Sequence, residues 1–404
     1  MQMLAFPNGT KFTLPDWMPP KIARCTQVYL DPISLFDNFG PFFDALIMDG
    51  EQGVWADILR GLEEEENGPQ INIRKELVVH LGQRAMGMSK YHLPITTTSE
   101  SIVMAIELKE GKAKEVAKAL EKLFRKDSDM EKQEYKSSVI WVRVPEEDVI
   151  QPFAPPVGPP IGGASAAEAP KRRVMNSAPA ANEAAPLFPN GAFTVAKDWL
   201  FIGTNAESIT EVLDRLDAKV ASIKEEAEYK EVEQVFSSFG IAEKPRFLQF
   251  FSRTDETLRP TYEMIRQGTL PQSQAVFAKI VNMIFVPADA DKPVRDQAID
   301  GSKLPEFEKI RQHFGPAGFY GVSEENGFFF KGFLLEKKAA EPEKKAAEPE
   351  KKAVEPEKKA AEPEKKAAEP EKKAAEPEKK AAEPEKKAAE PEKKAAEPEK
   401  KTEK

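Results

Sequence analysis

Between Ser101 and Val144 the hydrophobic period changes twice, and that stretch limits the folds open to the chain. Ile102, Met104, Ile106 and Leu108 alternate with less apolar neighbours, the period of a half-buried strand. After Gly111, Ala113, Val116, Ala117, Leu120, Leu123 and Phe124 recur at three- and four-residue spacing. That is one apolar helix stripe, with Lys112, Lys114, Glu115, Lys118, Glu121 and Lys122 on the wet side. Ser138 to Val144 returns as a β-rich run. Each piece alone leaves an apolar side uncovered, so strand, helix and strand must pack together.

The order continues downstream. Phe193–Val195 and Trp199–Gly203 read as strands around a turn at Ala196–Asp198. Thr204 and Asn205 offer oxygens to cap a helix with the stripe Ile209, Val212, Leu213 and Leu216. The sequence predicts an α+β fold: antiparallel-rich sheets with ferredoxin-like split β-α-β units packed by helices, helices on one sheet face. Residues 1–145 form an N-terminal α+β region and 191–335 a second one packed with it. Residues 146–190, with Pro155-Pro156, Pro159-Pro160 and Gly162-Gly163, read as a flexible loop.

Elsewhere the reading is local. Thr26–Leu30 is a strand ended at Asp31-Pro32, and Ile33–Met48 is a Phe-rich helix that Gly40-Pro41 splits or kinks. Its phenylalanines suit core or sheet cover better than a ligand groove. Val54–Glu66 is an amphipathic helix ending in the acidic run Glu63–Glu66. Ile73–Leu81 is helical with Gly82 as its cap, and Arg84–Lys90 is a strand. The helical stripe Tyr229, Val232, Val235, Phe236, Phe239 stops at Gly240, and Arg246–Arg253 is a strand. Helices follow over Leu258–Gln267, Ser273–Phe285 and Leu304–Phe314. Phe319–Ser323 and Phe328–Leu335 form a hairpin whose loop is longer than two residues.

Residues 336–404 repeat KKAAEPE, with nine prolines spaced by seven from Pro342 to Pro398. Proline at that spacing excludes continuous helix, and paired alanines are no coiled-coil seam. The segment reads as a disordered spacer of roughly 45 Å as a coil or 200 Å extended. It carries 21 Lys and 20 acids, so the body of about 335 residues holds the net negative charge of the chain, −9 overall. An acidic body and a self-compensated tail weigh against nucleic acid as partner.

Catalytic chemistry has few candidates. Cys25 is the single cysteine and His80, His92 and His313 the only histidines, which excludes a disulfide within the chain and disfavours a Cys/His metal centre. Asp289, Asp291, Asp296 and Asp300 have a calcium-loop flavour, but Val294 stands at the glycine position and Asp300 where glutamate belongs. Gly158–Gly163 has no strand leading in, and Lys171-Arg172-Arg173 is a solvated triplet. His80 reads as a helix-end residue and Thr96–Thr98 as a turn. No catalytic, cofactor-binding or metal residue is assigned, and no cofactor is expected. No run approaches the ~18 apolar residues of a membrane span.

The runs SIVMAIELKEGKAKEVAKALEKLF, YKSSVIWVR and FTVAKDWLFIGTNAESITEVLDRL resemble an uncharacterised bacterial, planctomycete-type family of exported or membrane-anchored proteins, over Pro15 to Leu335. The resemblance implies an extracytoplasmic place. The first residues, MQMLAFPNGTKFTLPDW, carry no export signal and by themselves imply the cytoplasm. The function expected is a non-enzymatic binding or structural protein of the cell envelope, tethered or spaced by its tail, with an unknown protein or envelope component as partner. The alternative is a carboxylate-dependent hydrolase or transferase.

Overall fold

The computed structural model describes residues 5–48, 50–144, 188–218, 220–241, 244–285 and 294–338, all within one compact unit. Most of the 146–190 segment, the Gly158–Gly163 and Lys171–Arg173 readings, Asp289, Asp291 and tail residues 339–404 lie outside them.

The fold is α+β. One ten-stranded sheet has the order β10-β9-β8-β1-β2-β3-β7-β6-β5-β4, every neighbouring pair antiparallel. The strands are β1 (Arg24–Tyr29), β2 (Leu81–Tyr91), β3 (Glu100–Leu108), β4 (Met130–Tyr135), β5 (Ser138–Arg143), β6 (Ala192–Ala196), β7 (Trp199–Gly203), β8 (Leu248–Arg253), β9 (Pro316–Glu324) and β10 (Gly327–Leu334). The helices are α1 (Pro32–Leu46), α2 (Val54–Glu64), α3 (Ile73–Glu76), α4 (Ala113–Phe124), α5 (Ala206–Leu216), α6 (Ala227–Ser238), α7 (Thr254–Gln267), α8 (Val276–Phe285) and α9 (Phe307–Ile310).

The split units are present in an expanded form. Since neighbours alternate in direction, β3 and β4 run parallel, joined through α4, with β7, β6 and β5 between them. Likewise β7 and β8 run parallel, joined through α5 and α6, with β3, β2 and β1 between. The helices take both faces of the sheet, not one. Strand residues alternate sides, so Leu200 and Ile202 face α4, packing with Val116, Leu120 and Phe124. Phe201, Val103 and Ala105 look the other way, toward Ile209, Val212 and Leu213 of α5 and Val232 and Phe236 of α6. Asn205 caps α5 as its sequence predicts, accepting from the Ser208 N–H at 2.8 Å.

Four local expectations are corrected. α1 runs unbroken through Pro41, with Asp31 accepting from the Ile33 and Ser34 N–H groups at its start. The Trp55 ring lies against Gly40 and gathers Phe36, Phe39 and Phe43 at 5.0–6.0 Å, so the helix is held by an aromatic cluster across the proline. Gly82 is no helix cap: β2 already includes it, the register slips between Leu81 and Ala85, and a Cβ there would sit 2.7 Å from the Glu107 carbonyl. Leu304–Phe314 is a single α turn followed by a 3₁₀ turn at Arg311–His313, where Pro305 holds back the start and the Arg311 side chain reaches Asp255 and Glu256. The last hairpin has a two-residue loop, Glu325-Asn326, since Glu324 pairs with Gly327.

The two sheet edges differ. β4 exposes Glu131, Lys132, Gln133 and Glu134, the charged edge that discourages pairing. β10 exposes Phe328, Phe329, Phe330 and Leu334.

Candidate functional site

A cleft of about 850 Å³ opens where β2, α6, β8 and α7 end or begin. Arg253, the last residue of β8, turns its guanidinium to Glu226 at 2.7 Å and Glu228 at 2.8 Å, both at the start of α6. Asp255 and Glu256 lie one step on, in the first turn of α7, where the helix dipole favours negative charge. Arg311 donates to Asp255 at 2.8 Å and also pairs with Glu256, which receives the Tyr91 hydroxyl of β2 from its other side.

The chain then brings in its own tail. β10 ends at Leu334, the Leu335 N–H still donates to the Pro316 carbonyl, and the tail starts at the cleft. Lys337 pairs with Asp255, and Lys338 pairs with Glu231 on α6. Lys337 and Lys338 are the first lysine pair of the KKAAEPE repeat.

Burial and pairing pull the acids apart electrostatically. Burial raises the pKa of Glu228, with Arg253 opposing and the neighbouring Asp255 charge adding to it. Burial also works against ionised Asp255, but hydrogen bonds from Lys337 and Arg311 outweigh it and hold this carboxyl below its ordinary range. Burial and the Glu256 carboxylate push the Tyr91 phenol up. The Asp255 carboxylate is 3% exposed, so it is the anchor of the cleft.

The candidates drawn from sequence do not converge. Cys25 is buried in the core and burial pushes its thiol up, the reverse of an activated nucleophile. His92 lines the cleft, His80 ends a 3₁₀ turn beside β2, and His313 ends another. Glu63 accepts from the Asn72 side chain. Thr96 and Ser99 form the turn before β3. Asp300 accepts from the Ser302 N–H and pairs with Lys303. Among the described residues, no group of three or more His, Cys, Asp and Glu could hold a metal ion, and no helix is long and apolar enough to cross a membrane.

Cleft residues were invisible in sequence because they are distant in it. Tyr91, Glu228, Asp255, Arg311 and Lys337 meet only through the strand order. One signal was available: Asp255-Glu256 follows the strand run RFLQFFSR after Thr254 alone, the signature of acids at a helix start.

Comparison adds a likeness for the tail. Residues 336–365 and 367–400 match the family model "FAZ1, C-terminal". The match is confined to the repeat, under a fifth of the chain. No curated protein matches. Two crystal structures of TP0453 are similar at low level: form III has 8% identity and a TM-score of 0.31, covering 81% of this chain and 82% of that one. Form I has 6% identity and a TM-score of 0.30, covering 81% of each. Likeness of that size carries no argument about fold or function.

Proposed function

We propose that this chain is a non-enzymatic binding protein of the cell envelope, whose ligand site is the charged cleft and whose ligand is a lysine-bearing segment. The observation that carries the reading is the seating of Lys337 on Asp255 and Lys338 on Glu231. Arg253 holds Glu226 and Glu228, and Arg311 holds Asp255, Glu256 and Glu308, so the cleft is a preset ionic frame rather than a set of free catalytic groups. Within that frame Asp255 and Glu231 are the two acids that take the adjacent tail lysines as a pair. The resemblance to exported planctomycete-type proteins supports the envelope as its place, with the repeat as spacer.

The site is tested by fluorescence anisotropy with a labelled peptide carrying one AEPEKKAAEPE unit, titrated with the full chain in which Lys337, Lys338 and the lysine pairs of the later repeats are all replaced by Ala, so that its own lysines leave the cleft. Salt-sensitive binding, lost in the same chain with Glu231→Lys added, is the expected result. No binding at low salt would overturn the reading. The envelope is tested separately, by cell fractionation and mass spectrometry of the terminal peptide; native protein confined to the soluble cytoplasm would remove that part.

One observation favours a second reading, a carboxylate-dependent hydrolase or transferase. Glu228 is held up and Asp255 held down in one cleft, the pattern of an acid paired with an ionised carboxylate. Turnover of an ester, amide or glycoside by the chain, abolished in Glu228→Gln, would select it.

A further inference from the structure

We infer that the cleft takes the tail of a second copy, so that the protein assembles head to tail through its own repeats. The inference rests on the cleft being a lysine-pair site, and it names the partner.

The seated pair and the later repeats are chemically alike. The pair seated in the cleft, Lys337-Lys338, recurs at seven-residue spacing from Lys344-Lys345 to Lys400-Lys401, nine further times, with a single Val354 departure from the repeat. A surface that accepts the first pair meets the same side chains, in nearly the same sequence, at every later repeat.

The native contact of the first pair is only partly buried. Lys338 is 78% exposed and Lys337 21%, and Glu231 is 23% exposed. The Lys338–Glu231 contact is a surface pair, weak in water and screened by salt, whereas Lys337 sits on the buried Asp255 carboxylate. The Lys338 contact is therefore the exchangeable one, and Lys337 is held by Asp255 together with its tether just beyond the β10–β9 ladder. When the pair leaves, Asp255 keeps Arg311, whereas Glu231 loses its one cation partner among the described residues and is open to another.

The later repeats have both reach and number. The 66 residues beyond Lys338 have a contour length of roughly 220 Å, against a radius of gyration of about 20 Å for a body of this size. A later repeat can therefore reach a neighbour's cleft. Each contact is weak, but nine equivalent pairs multiply the local concentration of ligand once two copies meet. Tail and cleft are different surfaces, so the contact is heterologous and propagates into chains or rings instead of stopping at a two-fold dimer. The tail's Glu-Pro-Glu spacers keep it from simply coating any acidic surface, since each lysine pair arrives with two acids.

The test is the mass of the full-length protein by sedimentation velocity, across protein concentration and from low to about 300 mM salt. The expected result is concentration-dependent assembly at low salt that disperses as salt rises. Lys337→Ala with Lys338→Ala removes the tethered competitor and shifts assembly to at least fivefold lower concentration. Glu231→Lys in the cleft leaves a monomer throughout, while the milder Glu231→Gln, which keeps size and shape, weakens assembly in the same direction. A labelled Glu231→Lys chain, monomeric alone but with its tail intact, sediments with the assemblies when mixed with the unlabelled Lys337→Ala/Lys338→Ala chain. A monomer under every condition overturns the inference. If the labelled repeat peptide still binds in that case, the cleft remains a lysine-pair site and only the self-assembly fails; if the peptide does not bind either, both fall. Assembly unchanged by Glu231→Lys would place the contact elsewhere and overturn the inference as well.

Discussion

Arg311 reaches back 56 residues to donate its Nε–H to Asp255 at 2.8 Å, and in doing so ties the segment before β9 to the first turn of α7. Asp255 also holds Lys337 while being 3% exposed. Replacing it with Asn removes a charge and takes the carboxylate from Lys337 in a half-closed site, while Arg311 keeps only Glu256 and Glu308. Asp255→Asn should lower the unfolding free energy by about 2–3 kcal/mol, read by urea denaturation. A change below 0.5 kcal/mol would show that the frame is not structural.

The same residue fixes a pH dependence. Its folded pKa lies below the ordinary 3.8, so its stabilising contribution is complete above 3.8 and drains as pH falls through the lower folded value. The wild-type chain should lose more stability than Asp255→Asn on going from pH 4 to pH 2.5. Parallel curves for the two proteins would contradict the depressed pKa.

Glu233 gives the opposite sign. It sits on α6, accepts from Gln249 at 2.8 Å, and burial raises its pKa above the ordinary 4.5 despite Tyr229, Arg246 and Gln249. Stability from this group is complete below 4.5 and is lost as pH rises through the folded value. Glu233→Gln, which keeps an acceptor for Gln249, should therefore flatten the fall in stability between pH 4.5 and pH 7. An unchanged slope in urea midpoints over that range would refute it.

Gly301 is a steric requirement. A Cβ there would lie 1.8 Å from the Ile265 carbonyl oxygen of α7, and backbone has to move to admit it. Gly301→Ala should cost about 1–3 kcal/mol, measured by thermal and chemical denaturation. Gly87, in the middle of β2 with open space around it, is the control and should accept alanine with little change.

The strands and helices that were legible in sequence are those whose apolar residues keep a period. β3 and α4 followed from Ile102 to Leu108 and from Ala113 to Phe124, because each is half buried and shows it. β4 was missed for the converse reason: MEKQEY is an edge strand, its side chains mostly exposed, so nothing in it alternates. Gly82 was misread because a glycine after a helical run looks like a cap, whereas here it admits the Glu107 backbone beside a slip in register. The placing of helices on both faces depended on strand order, which spacing along the chain does not encode. The cleft was hidden for that same reason. Its acids and arginines each look like ordinary surface charges until the sheet brings β2, β8 and α7 to one end.

The exposed phenylalanines of β10 make a further prediction. Phe330 is 56% exposed on an unpaired edge and touches Phe247 at 5.7 Å. Phe330→Lys should cost about 1 kcal/mol or less and reduce light scattering on heating, as charge on an edge does. Aggregation unchanged from wild type would mean that the edge is already protected.

The strand order has one more consequence. Strands from before the 146–190 segment and strands from after it alternate in blocks: β10-β9-β8, then β1-β2-β3, then β7-β6, then β5-β4. Each half of the polypeptide grips the other from two sides, like the fingers of clasped hands. A protease that cut once between Val144 and Phe188 would sever the covalent link and yet free neither fragment. Release would require opening the ladders β8–β1, β3–β7 and β5–β6 together. The nicked molecule would behave as a heterodimer of its own halves, each piece serving as the other's template.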